Sequence, residues 1–411
     1  MEYRVLMELA SELGSRLAVA GAETYRVEES IVRVLAAYGL DSRVYSVPNS
    51  LFITIMIPGE LPVTQLCRMR VGTDLDAVEK YSNLSRRICA EKPDPRVALE
   101  WLEETDKERK QYSFPKVLYG HVLVACGLCV FYGGVVSDVI CAGLCGLFLG
   151  FFSKFLSKYN SNAFFQNIAS GFAMALFAYI LAAAGISRNI DTSVIGTLML
   201  LVPGLLFTNS LRDIIFGDIN SGVNRVVTAL LIAAAVALGT ASAWNTAQYL
   251  WGIPPVPAPL AHPPLVTCIG TAIACTGFLY VWNIHGKGKW VCPIGGFLTW
   301  AIFCFAKELG CGYAMCCLFG TIFAAAYAEI MARIRKYPAI SYLVIGLISL
   351  IPGSNIYYTA QQALQGNLDR FFQEGALLVV TAGVMAVGII LVSSTARIIH
   401  PIHPAAKISS K

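Results

Sequence analysis

The stretch Leu201–Arg225, LVPGLLFTNSLRDIIFGDINSGVNR, interrupts an apolar run with Pro203-Gly204 and packs polar and charged side chains behind the interruption. The same arrangement returns at Leu350–Arg370, LIPGSNIYYTAQQALQGNLDR. A gapless offset of 149 residues pairs Pro203 with Pro352, Gly204 with Gly353 and Gly217 with Gly366, and the same offset pairs Pro115 with Pro264, Gly146 with Gly295 and Gly171 with Gly320. An internal proline removes a helical hydrogen bond and clashes with the preceding turn. The chain must therefore fold as two related units, each with one broken helix. In membrane transporters, Gly/Pro-interrupted segments at matching positions of two halves mark the substrate site.

The chain of 411 residues is 56% hydrophobic and only 14% charged, too apolar for an ordinary soluble enzyme of this length. Met1–Pro115 holds 15 basic and 18 acidic side chains, whereas the 296 residues that follow hold 16 and 8. The first segment reads as soluble and the remainder as membrane-embedded. The net charge of +5 then belongs to membrane loops and gives no nucleic-acid signal. Glu2, Arg4 and Glu8 interrupt the N-terminus, which does not resemble a cleaved signal peptide. Most of the thirteen cysteines fall inside apolar runs, where cysteine behaves as a small buried hydrophobe. No second CxxC pair or histidine cluster has zinc-site spacing, so neither a metal nor a cofactor is expected.

Residues 1–115 read as a cytosolic α+β domain. Leu6, Leu9, Leu13 and Leu17 recur at helical spacing, and Val27, Ile31, Val34, Leu35 and Tyr38 form one face of a second helix ending at Gly39. SRVYSVPNSLFITIMIPGE predicts a hairpin turning at Pro48-Asn49-Ser50, with a third strand within Pro62–Arg70 and helices over 74–90 and 95–110. Histidine, GxSxG and a phosphate loop are all missing from this segment, which argues against an enzyme. Its most pointed feature is GAETYRVEES, Gly21–Ser30, read either as capping and ion pairs or as a gate contact.

Beyond it lie ten apolar segments, at about 116–132, 135–152, 164–184, 193–208, 226–244, 265–282, 290–306, 312–331, 339–352 and 375–396, several at or below the roughly 17–25 residues of a spanning helix. They group as a five-helix repeat over 116–251, a proline-rich linker over 252–264, a second five-helix repeat over 265–396 and a cytosolic tail over 397–411. With a cytosolic N-terminus, the inner loops and tail carry twelve Lys/Arg and the outer loops three, Arg188, Lys307 and Arg370. That bias predicts an inner-membrane protein with both termini in the cytoplasm. Five spans per repeat is an odd number, so the second copy is inverted relative to the first. Pro203 stands ten residues into its segment, about 15 Å deep at 1.5 Å per residue, and Pro352 a similar distance from the other side, so both breaks meet near the midplane.

At a break, freed carbonyls accept from an ammonium or hydroxyl, while the restarting half-helix presents amides suited to a carboxylate. The candidate substrate-binding residues are Pro203 and Gly204; Thr208, Asn209, Arg212 and Asp213 on one face; Asp218, Ser221, Gly222 and Arg225 at i, i+3, i+4, i+7; and Pro352, Gly353, Ser354, Asn355 and Tyr358. Arg212 and Asp213 read equally as interfacial residues and Arg225 as an anchor of the fifth segment. Asp218 is the candidate proton-coupling carboxylate. Glu329 and Arg333 read as a structural i,i+4 pair, and His121 as a packed residue.

GAETYRVEES, the PG-(x)3-TNSLRDIIFGDINSGVNR run and IPGSNIYYT resemble the threonine/serine exporter family, in a form joining two components that some bacteria encode separately. The resemblance spans nearly the whole chain. It implies a cytosolic domain followed by a ten-helix secondary transporter in the lipid bilayer that exports threonine and serine, driven by protons. Related two-component members imply a small dicarboxylate such as succinate instead. Homo-oligomers are compatible with this architecture. Phe216-Gly217-Asp218 lacks the first glycine of a GxGD protease motif, which leaves a solute-binding sensor or scaffold as the alternative of another class.

Overall fold

The computed structural model describes residues 3–57, 59–69, 72–159, 162–252, 256–286, 289–335 and 337–399. These form two compact units. One comprises the described residues of Met1–Gln111, Trp282–His285 and Thr395–Lys411, and the other those of Tyr112–Val281 and Gly286–Ser394.

In the first unit, α1 (Tyr3–Val19) buries Leu6, Leu9, Leu13 and Leu17, and α2 (Thr24–Ala37) buries Val27, Ile31, Val34 and Leu35. The expected hairpin is β1 (Asp41–Val47) antiparallel to β2 (Ser50–Met56), with Val47 opposite Ser50 and Asp41 opposite Met56. β3 (Val63–Arg68) completes a sheet of order β1-β2-β3. Leu51, Ile53 and Ile55 point inward at alternate positions of β2, the period-2 pattern of a half-buried strand. A Cβ on Gly14 would overlap Ile31 and Leu51, so only glycine allows α1 this close to the sheet. Two further helices follow, α3 (Leu75–Glu91), capped by Asp74, and α4 (Pro95–Lys107), capped by Asp94.

GAETYRVEES serves the fold of this unit. Glu23 is buried at the start of α2 and pairs with Arg26 at 3.4 Å, and Glu28 accepts the Ser46 amide at 2.7 Å, tying α2 to β1. Trp282–His285 also belongs to this unit, which the sequence did not indicate. Asn283 donates to Asp74 and to the Lys110 carbonyl, each at 2.9 Å, and the Leu75 amide donates to Trp282.

In the second unit the order is α5 (Phe114–Phe131), α6 (Val136–Leu156), α7 (Ala163–Ala183), α8 (Ile190–Leu198), α9 (Gly204–Phe216) and α10 (Ile219–Trp251). It is followed by α11 (Pro264–Val281), α12 (Val291–Glu308), α13 (Tyr313–Arg335), α14 (Ala339–Gly346), α15 (Gly353–Leu364) and α16 (Leu368–Ile399). Eight of these helices are long and apolar enough to cross a membrane. The fourth and ninth expected segments, each expected to be broken at its Pro-Gly, are the split pairs α8/α9 and α14/α15, whose second halves run on past the expected ends to Phe216 and Leu364. α10 begins seven residues before the expected fifth segment, because Asn220, Asn224 and Arg225 look like loop residues yet continue the helix.

Packing repeats at the 149-residue offset. Gly239 of α10 lies against Phe172 of α7, and their counterparts Gly388 and Thr321 bring α16 onto α13. One core cluster contains Phe207, Ala229 and Ala233 together with Ile356, Leu378 and Ala382, three pairs of counterparts. α5 and α11 run antiparallel, with Gly120 against Gly277 and Gly127 against Gly270. A Cβ on Gly120 would stand 2.8 Å from the Gly277 oxygen, so backbone meets backbone. Cys141, Cys145, Cys268 and Cys275 are buried free thiols in this apolar packing. Residues 253–255 of the linker lie outside the described residues. Beyond them the chain is non-helical and anchored, since Leu260 donates to the Gly133 carbonyl at 3.0 Å and Asn189 donates to the Pro257 carbonyl at 2.7 Å.

Candidate functional site

Each break is an inverse γ-turn centred on proline. The Gly204 amide donates to Val202 at 2.9 Å, and the Gly353 amide donates to Ile351 at 2.7 Å. Pro203 (φ −84°, ψ 46°) and Pro352 (φ −75°, ψ 47°) share one conformation, close to that of the three-residue turn. Both helices restart alike, Phe207 donating to Pro203 and Ile356 to Pro352, each at 3.1 Å. They also end alike, because Gly217 (φ 99°) and Gly366 (φ 72°) take the left-handed conformation glycine tolerates best.

The two breaks touch. A Cβ on Gly204 would meet Ile351 and stand 3.2 Å from the Gly353 Cα, while one on Gly353 would face the Met199 sulfur at 3.0 Å and Val202 at 3.7 Å. The turns at Pro203-Gly204 and Pro352-Gly353 are thus brought together. Around it, Thr208 is buried and donates to the Gly204 carbonyl at 3.1 Å. Ser354 is half-buried beside the Tyr132 hydroxyl. Half-buried Tyr358 stacks obliquely on Tyr357 with ring centres 5.5 Å apart, and Tyr357 in turn shares a hydrogen bond of 3.1 Å with Thr240 of α10. Asn355 donates to the Glu374 carboxylate of α16 at 3.0 Å.

The remaining candidates form a second group. Arg212 stands eight residues along α9 from Gly204, about 12 Å at 1.5 Å per residue. It is buried, with Asp213, and the two are 3.4 Å apart; Arg225 of α10 reaches the same carboxylate at 3.4 Å. Arg212 and Asp213 are thus enclosed by protein rather than exposed. Ser221 is buried, and Gly222 lets α10 close on α9, where a Cβ would stand 2.8 Å from the Ser210 oxygen. Asp218 lies between α9 and α10 and is half-buried, its carbonyl accepting the Gly222 amide; Asn209 is half-buried on α9. Glu329 and Arg333 approach to 3.9 Å one turn apart, and the His121 ring bonds its own helix at Val117.

Three polar residues at the breaks went unrecognised in the sequence: Glu374, Thr240 and Tyr132. Glu374 carried a signal, since it stands 149 residues after Arg225. Thr240 and Tyr132 carried none, because they lie far from the breaks in sequence and only packing brings them there.

Comparison with known proteins bears on what this arrangement serves. A model of the threonine/serine exporter family matches residues 8–247, and a second model of the same exporters matches residues 267–395. The chain is similar to the threonine/serine exporter of Corynebacterium glutamicum, at 24% identity over 412 residues, covering 95% of this chain and 82% of that protein. No solved structure matches it. The two models adjoin across the proline-rich linker, and the first alone spans more than half of the chain. With its apolar helices and these matches, the chain belongs to the threonine/serine exporter family, multi-pass membrane proteins that export amino acids.

Proposed function

We propose that the protein is a proton-coupled secondary transporter that carries threonine and serine out of the cell, binding them between the two broken helices near the membrane midplane. The contact between Gly204 and Gly353 carries this reading. Two helix breaks that meet leave restarting amides and polar side chains facing one locus, and broken backbone inside a membrane is tolerated only where protein or a cavity receives it. In this reading the ten-helix membrane half is an inverted repeat. The antiparallel glycine contacts of α5 with α11 and the mixed central cluster are what a two-fold axis in the membrane plane requires. Residues 1–115 are the cytosolic domain, both termini are cytoplasmic and the bilayer is the inner membrane, as the distribution of basic residues favours.

Counterflow of radiolabelled threonine, serine and succinate in proteoliposomes, with and without an imposed pH gradient, tests it. Saturable threonine or serine exchange accelerated by the gradient is the expected result. Exchange of succinate alone would replace the amino-acid reading with a dicarboxylate one, and absence of exchange by folded protein would favour a sensor.

A further inference from the structure

Glu374 and Arg225 occupy counterpart positions on α16 and α10, and they have opposite charge. The two halves hold them differently. Arg225 lies against Asp213, which a second guanidinium, that of Arg212, also approaches. Glu374 is half-buried, its hydrogen-bond partner is the neutral Asn355 amide at 3.0 Å, and among the described residues no cation pairs with it. Its place is near the breaks on two counts. Asn355 stands two residues after Gly353, which meets Gly204, and Glu374 itself is one helical turn before Leu378 of the cluster shared by both halves. Tyr358 lies within its electrostatic reach. A carboxylate at the head of an apolar run is costly without a cation, and inside membranes such groups mark ligand and ion paths.

We propose that the Glu374 carboxylate holds the α-ammonium group of the transported amino acid, with Asn355 orienting it, and that it thereby selects amino acids over dicarboxylates. The assignment rests on the transport reading above. An ammonium supplies three donors to an acceptor-only carboxylate, and the substrate carboxylate is left for the restarting helix amides and dipole of the breaks. A dicarboxylate would place a second anion where Glu374 already stands, and like charges in close approach repel strongly in a low-dielectric site. The sites at Arg225 and Glu374 are then not equivalent ligands: the first is closed by an internal ion cluster, the second is open to a cation.

The test is titration of purified full-length protein with threonine and with 3-hydroxybutyrate, which is threonine without its ammonium group, followed by ligand-dependent thermal shift. In Glu374→Gln the threonine dissociation constant should rise at least tenfold, the scale of one lost charge-assisted contact, while that for 3-hydroxybutyrate stays the same or falls. Glu374→Asp should be intermediate for threonine and serves the same comparison if the glutamine variant does not fold. If the two ligands weaken equally, or neither weakens, the assignment is wrong while the transport reading stands. Wild-type protein that binds neither threonine nor serine removes both.

Discussion

The two helix breaks have the same backbone and different side-chain chemistry. Val202-Pro203-Gly204 and Ile351-Pro352-Gly353 make the same turn, with prolines at nearly the same φ and ψ, and their following helices meet in one cluster of counterpart residues. Behind the first break lies a cluster of one aspartate and two arginines, Asp213 and Arg212 buried and Arg225 half-buried; behind the second lies an amide on a carboxylate. The difference separates two kinds of constraint. Breaking a helix inside a membrane has few backbone solutions, because every exposed polar group must be received, so the turn is repeated. The side chains around it are not bound by that requirement, and an asymmetric solute with a positive and a negative end needs them to differ.

Steric change at the turns gives the largest expected effect. In Gly204→Val the new Cβ lies against Gly353 backbone, 3.2 Å from its Cα, and backbone cannot step aside. Counterflow should fall by about a hundredfold or more, in line with misplacement of ligand-positioning groups by roughly 1 Å. Gly353→Ala directs its methyl at the Met199 sulfur at 3.0 Å, a flexible side chain that can turn, so it should retain measurable exchange. Equal loss in both variants would mean that the two turns are equally closed and would remove the difference drawn here.

Next is the charge cluster. Asp213→Asn leaves buried Arg212 and half-buried Arg225 without their shared carboxylate, and removing one member of a buried pair such as Arg212–Asp213 costs about 3–5 kcal/mol. Asn355→Ala removes one neutral donor from the Glu374 carboxylate and should cost about 1.5–3 kcal/mol. Thermal melting of the two purified variants in detergent compares them directly. A melting point for Asp213→Asn no lower than that for Asn355→Ala would show that the first cluster is not a structural lock.

Much of this organisation was legible in the chain. The two Pro-Gly breaks and the hairpin turning at Pro48-Asn49-Ser50 each express a rule of backbone that acts over a few residues, and the offset of 149 residues only repeats the first of them. What escaped was set by contacts across long separations. α10 starts at Ile219 because tertiary packing of Ser221 and Gly222 on α9 outweighs the weak helix propensity of Asn220 and Asn224. Trp282–His285 joins the first unit through the Trp282 carbonyl and through Asn283, which stands in the left-handed region at φ 55°. The candidate residues were found individually but not as a partition: helical rise places Arg212 about 12 Å from the break, but nothing local says that it closes on Asp213 beside Arg225 while Glu374 reaches the break through Asn355.

The smallest predicted effect concerns a link that only one half makes. Thr240 is buried and shares a hydrogen bond with Tyr357, whereas the counterparts of these two residues are Ile389 and Thr208, and the Thr208 hydroxyl turns instead onto its own helix at Gly204. Thr240→Val makes the first half apolar there, as the second already is at Ile389. The Thr240 hydroxyl also bonds its own helix at Val236 and Ala237, so valine leaves the Tyr357 hydroxyl as the group that loses its partner. The expected cost is about 1–2 kcal/mol, a lower melting point with the threonine KM for counterflow unchanged. A raised KM at unchanged melting point would instead make Thr240 and Tyr357 part of the solute's positioning shell, and the asymmetry between the halves would then extend from charge to hydroxyls.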